Sequence, residues 1–330
     1  LETSHASAVR IASRFLEATS KRNACIIATG NWGDKRVLLK NRDRNYNPKV
    51  SIVREVLEGV EVAYMTDEVT DWNEGLNEHG IGIVNSALSV GRDEAEKKLV
   101  SIGKKSKDGV RILEALSCKT LAEAIKSAKN SHGGIKGHTF ISSPDGVVAI
   151  EQTSKHECKV KTLDPDSIYV RTNHGIEYED AGYTEGKKYI SSIARRNKAK
   201  EILKDVKSPE GVAPALMAGR SKDRHDPNSV IRDTKDMSTT SQTILNLTDL
   251  ELILYVIPKK STYEGLTNKL PKGQKPKIKV RVFSYLDDGS EVVELDPETG
   301  KKKADPKKVA SQFLGDNILV FSYGSNNPFI

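Results

Sequence analysis

The spacing of apolar and polar residues changes several times along the chain. Residues 5–19, HASAVRIASRFLEAT, put Val9, Ala12, Phe15 and Leu16 on one face, the signature of an amphipathic helix. SKRNA ends it just before Cys25. Residues 25–40 then read as a β-hairpin turning at Gly30-Asn31-Trp32-Gly33-Asp34. Residues 51–56 and 59–65 predict two more strands around Glu58-Gly59. NEGLNEHG predicts a turn leading into a strand at 81–88. From Asp93 to Lys129 the period is helical, with a distinct second helix at TLAEAIKSAK. GHTFISSPDGVVAIEQT is a hairpin with its turn at Pro144-Asp145-Gly146, and HECKVKTL and IYVRTN read as strands. Residues 186–205 and 208–218 predict helices, and TTSQTILNLTDLELILYV predicts two strands. A hairpin turning at Asp287-Asp288-Gly289 and a last strand, NILVFSYG, close the pattern. Strands and helices come in blocks rather than in βαβ alternation, which predicts an α+β fold with antiparallel sheets and helices outside.

Bulk properties narrow the class. The 330 residues include 52 basic and 45 acidic ones, and 37% are hydrophobic. That chain can bury a large core. No stretch is long and apolar enough to span a bilayer. Arg10, Arg14 and Glu17 interrupt any secretory signal core. Much of the basic excess lies in late lysine runs, at 259–260, 272–279, 301–303 and 307–308. They lack interleaved aromatics and any nucleic-acid motif, so a solvated lysine surface is expected and no nucleic-acid partner. NKLPKGQKPK is the expected flexible surface loop. Three cysteines, Cys25, Cys118 and Cys158, match no zinc spacing and make no disulfide framework. A reducing compartment, the cytoplasm, is the matching expectation. His225-Asp226 lacks a third ligand, so no metal is expected.

Cys25 is the candidate nucleophile. None of the seven histidines sits in a local pattern that marks a base for it. A freed α-amine on the cysteine itself is an alternative base, since it titrates near roughly pH 7.7–8.0. That chemistry needs a chain that starts at Cys25, so residues 1–24 read as a removable propeptide with cleavage at Ala24-Cys25. The alternative at this point is a buried strand cysteine after an ordinary helix.

Further segments add to this pattern. Fifteen residues after Cys25 stands Lys40-Asn41-Arg42-Asp43. Then come GLNEHGIGIVNSAL, FISSPDGVVAIEQT ending near Glu151, VRTNHGI, SSIARRNKAKEIL and MSTTSQTILNLTDLELIL. Taken in order, residues 24–258 resemble the N-terminal-nucleophile cysteine hydrolases. That group includes choloylglycine hydrolases, penicillin V acylases, acid ceramidases and acyl-coenzyme A:6-aminopenicillanic acid acyltransferases. The resemblance implies a four-layer αββα sandwich of two antiparallel sheets flanked by helices, an Ntn-hydrolase fold. Residues 25–330 would form the catalytic domain, with 259–310 a lysine-rich peripheral hairpin and loops.

It also implies roles. Cys25 would be the nucleophile, released by autocatalytic cleavage of a zymogen. Asp43 would orient the α-amine. Asn173 would serve the oxyanion, and Asn85 is the nearest match to a second oxyanion residue, although ungapped alignment falls on Ala87. Lys40 stands where arginine is usual, unless a shifted register puts Arg42 there. Arg195 matches the helix arginine, with Arg196 its rival. The implied activity is hydrolysis of a linear amide in a small-molecule N-acyl substrate through a thioester, with no cofactor. Two alternatives stay open: an acyltransferase of the same fold, and a non-catalytic binding protein that keeps its propeptide. Oligomeric state is left open, a homo-oligomer included.

Overall fold

The computed structural model describes residues 23–88, 108–130, 134–153, 157–179, 183–184, 187–188, 190–286, 289 and 291–303. The helix expected at 5–19, the strand expected at NILVFSYG, and the first part of the helical stretch after Asp93 lie outside those residues.

The expected hairpin is long. β1 (Asn23–Trp32) and β2 (Lys35–Arg44) pair antiparallel along ten positions, from Asn23↔Arg44 to Trp32↔Lys35. Gly33 turns the corner with φ 67, a conformation that glycine adopts without a Cβ clash. β3 (Lys49–Leu57), β4 (Val60–Asp67), β5 (Trp72–Asn77) and β6 (Gly82–Ser86) form a meander. Two helices follow, α1 (Asp108–Leu116) and α2 (Leu121–Asn130). Then come β7 (Gly137–Ser143), β8 (Gly146–Gln152), β9 (Lys159–Leu163) and β10 (Tyr169–Arg171). The two-residue strands β11 (Tyr183–Thr184) and β12 (Lys187–Lys188) pair with each other ahead of α3 (Ile190–Leu203) and α4 (Pro209–Ala218). The last part holds β13 (Asp233–Thr234), β14 (Met237–Asn246), β15 (Glu251–Val256), β16 (Thr262–Asn268), β17 (Lys279–Tyr285) and β18 (Val292–Leu295).

These strands build two eight-stranded sheets. One runs β10-β1-β2-β14-β15-β17-β18, with β13 paired to β14; the other runs β16-β3-β4-β5-β6-β7-β8-β9. The expectation of purely antiparallel sheets needs a correction. β15 pairs β17 in parallel, and β16 pairs β3 in parallel. The reason is topological: after β15 the chain crosses to the second sheet to lay β16 on its edge, then returns through NKLPKGQKPK to extend the first. The lysine-rich region thus supplies edge strands to both sheets, with Ile278, Val282, Val293 and Leu295 in the inner core.

Alternation along each strand sorts side chains into layers. Ile27, Leu38 and Val84 face the seam between the sheets, where they meet Ile52, Phe140, Leu245 and Leu254. Ile26, Ala28, Val37 and Leu39 face outward to Ala199, Leu203, Val212 and Leu216 of α3 and α4. Ile81, Ile83 and Ile141 face outward to Ile112, Ala115 and Ala124 of α1 and α2. The architecture is therefore helix, sheet, sheet, helix. Gly82 lets the sheets approach closely: a Cβ there would sit 2.5 Å from Leu247 Cδ2 and 3.0 Å from Leu38 Cδ1. Among the described residues no helix is long and apolar enough to cross a membrane.

Candidate active site

The layer sorting decides where each candidate side chain lies. On β2, Asn41 and Asp43 share the outward parity of Val37 and Leu39. Lys40, Arg42 and Arg44 share the inward parity of Leu38. Cys25 on β1 shares the inward parity of Ile27, directly opposite Arg42 in the register. All are buried; Cys25 is 2% exposed.

One cluster surrounds the backbone nitrogen of Cys25. That N–H donates to Asn173 Oδ1 at 3.3 Å. Arg195 Nη2 donates to the same Oδ1 at 2.9 Å, and Arg195 Nη1 donates to Asp43 Oδ2 at 3.3 Å. Thr239 Oγ1 donates to the other Asp43 oxygen at 2.8 Å. Asp43 itself pairs opposite Ala24. Thr239 reaches it because β14 carries an extra residue here: Thr239 opposes Asp43 and Ser241 opposes Arg42, so Thr240 forms a bulge. Burial pushes the Asp43 carboxyl up, against the pull of Arg195, Arg232, Thr239 and Arg44.

Asn173 is held on every side. Its N–H donates to Ser192 Oγ on α3 at 2.8 Å. Its side-chain Nδ2 donates to Ser86 Oγ at 3.1 Å and to Ala87 O at 2.6 Å. Ser86 in turn donates to Thr172 O at 2.8 Å and lies 3.5 Å from Cys25 O. Asn173 thus positions the Cys25 nitrogen, and its own N–H donors are engaged by Ser86 and Ala87.

A second cluster surrounds the sulfur. Arg44 Nη1 lies 3.7 Å from Cys25 Sγ and 2.9 Å from Asp43 O, and Arg44 Nε donates to Asp67 Oδ2 at 3.1 Å. Behind it runs a row of buried charges within the seam. Arg42 bonds Asp67 and, closely, Glu74; Lys40 Nζ donates to Glu74 Oε2 at 2.9 Å. Thr243 Oγ1 and Tyr46 OH complete the carboxylates. Burial lowers Lys40 to about 8, with Glu74 pulling the other way.

The structure brings Cys25, Asp43, Asn173 and Arg195 together. It does not bring Asn85. Asn85 has the outward parity of Ile83, and its Nδ2 donates to Lys136 O at 3.0 Å and Thr139 Oγ1 at 2.8 Å. Ser86, one residue on, faces the seam instead. Lys40 and Arg42 serve Glu74 and Asp67, while Arg44 is the cation at the sulfur. Arg196 Nε donates to Val170 O at 3.1 Å, so Arg195 alone of the pair engages Asp43. Glu151 accepts backbone N–H bonds from Ile176, Glu177 and Tyr178, fixing the loop after Asn173. The alternating signal in KNRDRN was sufficient to find Arg44; nothing local marks Ser86 or Thr239. Among the described residues no group of three or more metal-ligating side chains gathers.

His174 adjoins this cluster. Its Nδ1 lies 2.9 Å from Ser192 Oγ and 3.2 Å from Thr172 Oγ1. Burial, with Arg196, His138, Arg171 and Arg195 around it, lowers His174 to about 4. The folded imidazole is neutral where an unfolded one titrates near about 6.5. Between those values the unfolded chain binds the extra proton, so stability falls as pH drops from about 6.5 to about 4. Allowing for solvent screening, the loss is about 2 kcal/mol. Urea unfolding of wild type and His174→Gln at pH 4.5 and 7 checks this: the variant is expected to flatten that part of the profile.

The family described as acyl-coenzyme A:6-aminopenicillanic acid acyl-transferase matches residues 31–260. Among curated proteins none matches. Among solved structures, the chain is similar to the Caenorhabditis elegans ortholog of N-acylethanolamine-hydrolyzing acid amidase, with 15% identity, a TM-score of 0.47, and 68% of this chain and 92% of that chain covered. It is also similar to penicillin V acylase from Agrobacterium tumefaciens, with 10% identity, a TM-score of 0.42, and 84% and 100% covered. The family match spans more than half of the sequence, so this chain belongs to the acyl-coenzyme A:6-aminopenicillanic acid acyl-transferase family.

Proposed function

We propose that the protein is a cysteine amidohydrolase that activates itself by cleavage between Ala24 and Cys25. The observation that carries this reading is the double hold on Cys25. Its nitrogen donates to Asn173, which Arg195 ties to Asp43, and its sulfur lies against Arg44. Cleavage would turn that nitrogen into an α-amine beside the same Asn173 carbonyl, within a few bonds of the thiol. An amine there can take the thiol proton at neutral pH.

The steps then balance. The sulfur bonds to the amide carbonyl carbon as its proton passes to the α-amine. The C–N bond breaks, and the leaving amine takes a proton from the resulting ammonium. A thioester remains. Water attacks it, giving up a proton to the α-amine, and the acid leaves as the thiol re-forms. Asp43 and Arg195 position the amine through Asn173. Backbone N–H groups near Cys25 serve the oxyanion, where a single donor is worth about 3–4 kcal/mol.

Family membership favours a second reading as well, in which an amine rather than water resolves the thioester. The two share every step up to that point. Intact-mass analysis together with a panel of N-acyl amides, with and without an added acceptor amine, tests both. The expected result is an active species starting at Cys25 that releases free acid. An active protein that keeps its Ala24-Cys25 bond would overturn the mechanism. New amide formed in preference to acid would replace hydrolase by transferase.

A further inference from the structure

Backbone alternation fixes which neighbour each residue of β1 addresses. The Cys25 N–H donates to Asn173 Oδ1, and Cys25 O lies 3.5 Å from Ser86 Oγ, so both main-chain groups of Cys25 turn away from β2. In an antiparallel pair the preceding residue must then turn its own groups toward the partner strand. The partner of Ala24 is Asp43. β2 obeys the same alternation. Arg36 O accepts from the Leu247 N–H and Arg42 O from Thr240 Oγ1, both on the β14 side, which leaves Asp43 facing β1. The Ala24 carbonyl therefore meets the Asp43 N–H, and the Ala24 N–H meets the Asp43 carbonyl. A second lone pair on that carbonyl takes Arg44 Nη1 at 2.9 Å. β10 joins β1 only from Ile27 to Thr29, so at Ala24 the paired strand is β2.

Cleavage would undo this end of the ladder. The sulfur bonds to the Ala24 carbonyl carbon, the Ala24–Cys25 C–N bond breaks, and the thiol proton passes to the nitrogen. The first thioester on Cys25 thus carries Ala24 as its acyl group, and water releases it as an acid. Departure of Asn23 and Ala24 leaves the buried Asp43 N–H and one lone pair of its carbonyl without a ladder partner. Every later thioester forms on the same sulfur, beside those two groups. We propose that the acyl part of the substrate takes the place of Asn23 and Ala24 as a short strand along β2, its carbonyl oxygen on the Asp43 N–H and the N–H of the same residue on the Asp43 carbonyl. The preferred acyl donors are then peptidyl amides, held by strand addition, with a small last residue. The size limit follows from the register. Opposite residues hold their Cβ atoms about 4.5–5.5 Å apart, so a side chain at position 24 stands beside the Asp43 carboxylate that Arg195 binds. The inference rests on Cys25 acting as the nucleophile after cleavage.

Four p-nitroanilides test it. Acetyl-Asn-Ala copies residues 23–24. Acetyl-Asn-lactoyl replaces the Ala N–H by an ester oxygen, acetyl-Asn-Leu enlarges the last residue, and octanoyl has the same length with no peptide group. The first is expected to exceed each of the others in kcat/KM by about tenfold or more. Ala24→Leu in the full chain should slow the appearance of the species starting at Cys25, followed by intact mass. Calorimetric titration of acetyl-Asn-Ala acid and its lactic acid analogue into the cleaved protein reports binding without turnover. Binding of the first about tenfold tighter than the second, with no anilide hydrolysed, would sink the amidase reading and keep the strand site. Equal or faster hydrolysis of the octanoyl or lactoyl anilide would overturn the strand site and keep the amidase. Equal hydrolysis of the Leu anilide would overturn the size limit. A chain still joined at Ala24–Cys25, or a cleaved one that neither binds nor hydrolyses these probes, would overturn both.

Discussion

A Cys25→Ala protein is expected to retain the residues before position 25 and to hydrolyse N-acyl amides at least about 10⁴-fold more slowly than the wild type. Both losses follow from one atom. On the proposed mechanism the sulfur is the attacking group in self-cleavage and in turnover, and the nitrogen that would act as base exists only after cleavage. Folding should survive, because Cys25 sits in a strand held by Arg42 across the hairpin and by packing on both faces. Circular dichroism and urea unfolding check that point. Cys25→Ser separates the two functions: slow maturation with weak turnover fits an oxygen nucleophile in the same place. Normal hydrolysis by Cys25→Ala would end the catalytic assignment.

Arg195→Met should cost about 3–5 kcal/mol of stability and lower kcat by 100-fold or more. Arg195 is wholly buried, and its two terminal nitrogens reach two different acceptors, Asp43 Oδ2 and Asn173 Oδ1. Its removal leaves a buried carboxylate with Thr239 and the more distant Arg232. It also removes one of the two donors that Asn173 Oδ1 accepts from, leaving the Cys25 N–H as the other. Arg195→Lys should recover part of the stability and little of the activity, since an ammonium cannot bridge both acceptors as the planar fork does. Asp43→Asn with Arg195→Met should be less harmful than the sum of the single changes, by about 1–3 kcal/mol. Strict additivity in the unfolding free energies would show that the pair does not act as a unit.

The strand pattern carried much of this arrangement. Once β2 is a strand, period-two alternation alone separates Asn41 and Asp43 from Lys40, Arg42 and Arg44. The same rule places Asn85 with Ile83 on the face toward α1 and α2. Nearness to a motif points to Asn85, whereas parity gives Ser86 the place beside Asn173. The polar, glycine-bearing NEGLNEHG predicts a turn, yet its first part belongs to β5 (Trp72–Asn77). It is a strand whose Glu74 is neutralised by Lys40 and Arg42, partners thirty-odd residues away that no local window reveals. The parallel pairs β15/β17 and β3/β16 were equally hidden, since strand direction depends on where the chain returns rather than on its periodicity. Thr239 reaches Asp43 through a bulge, which a single inserted position does not announce in sequence.

The buried row from Lys40 to Arg44 has a consequence for how the two halves of the molecule come together. An oily contact between sheets tolerates sliding by one residue at modest cost. Here a slip of one residue would part Glu74 and Asp67 from three cations at once and strand five charges away from water. The halves therefore dock in a single alignment, like a keyed shaft. That alignment is also the one that fixes the guanidinium against the sulfur, so assembly of the sandwich and assembly of the reactive centre are the same event.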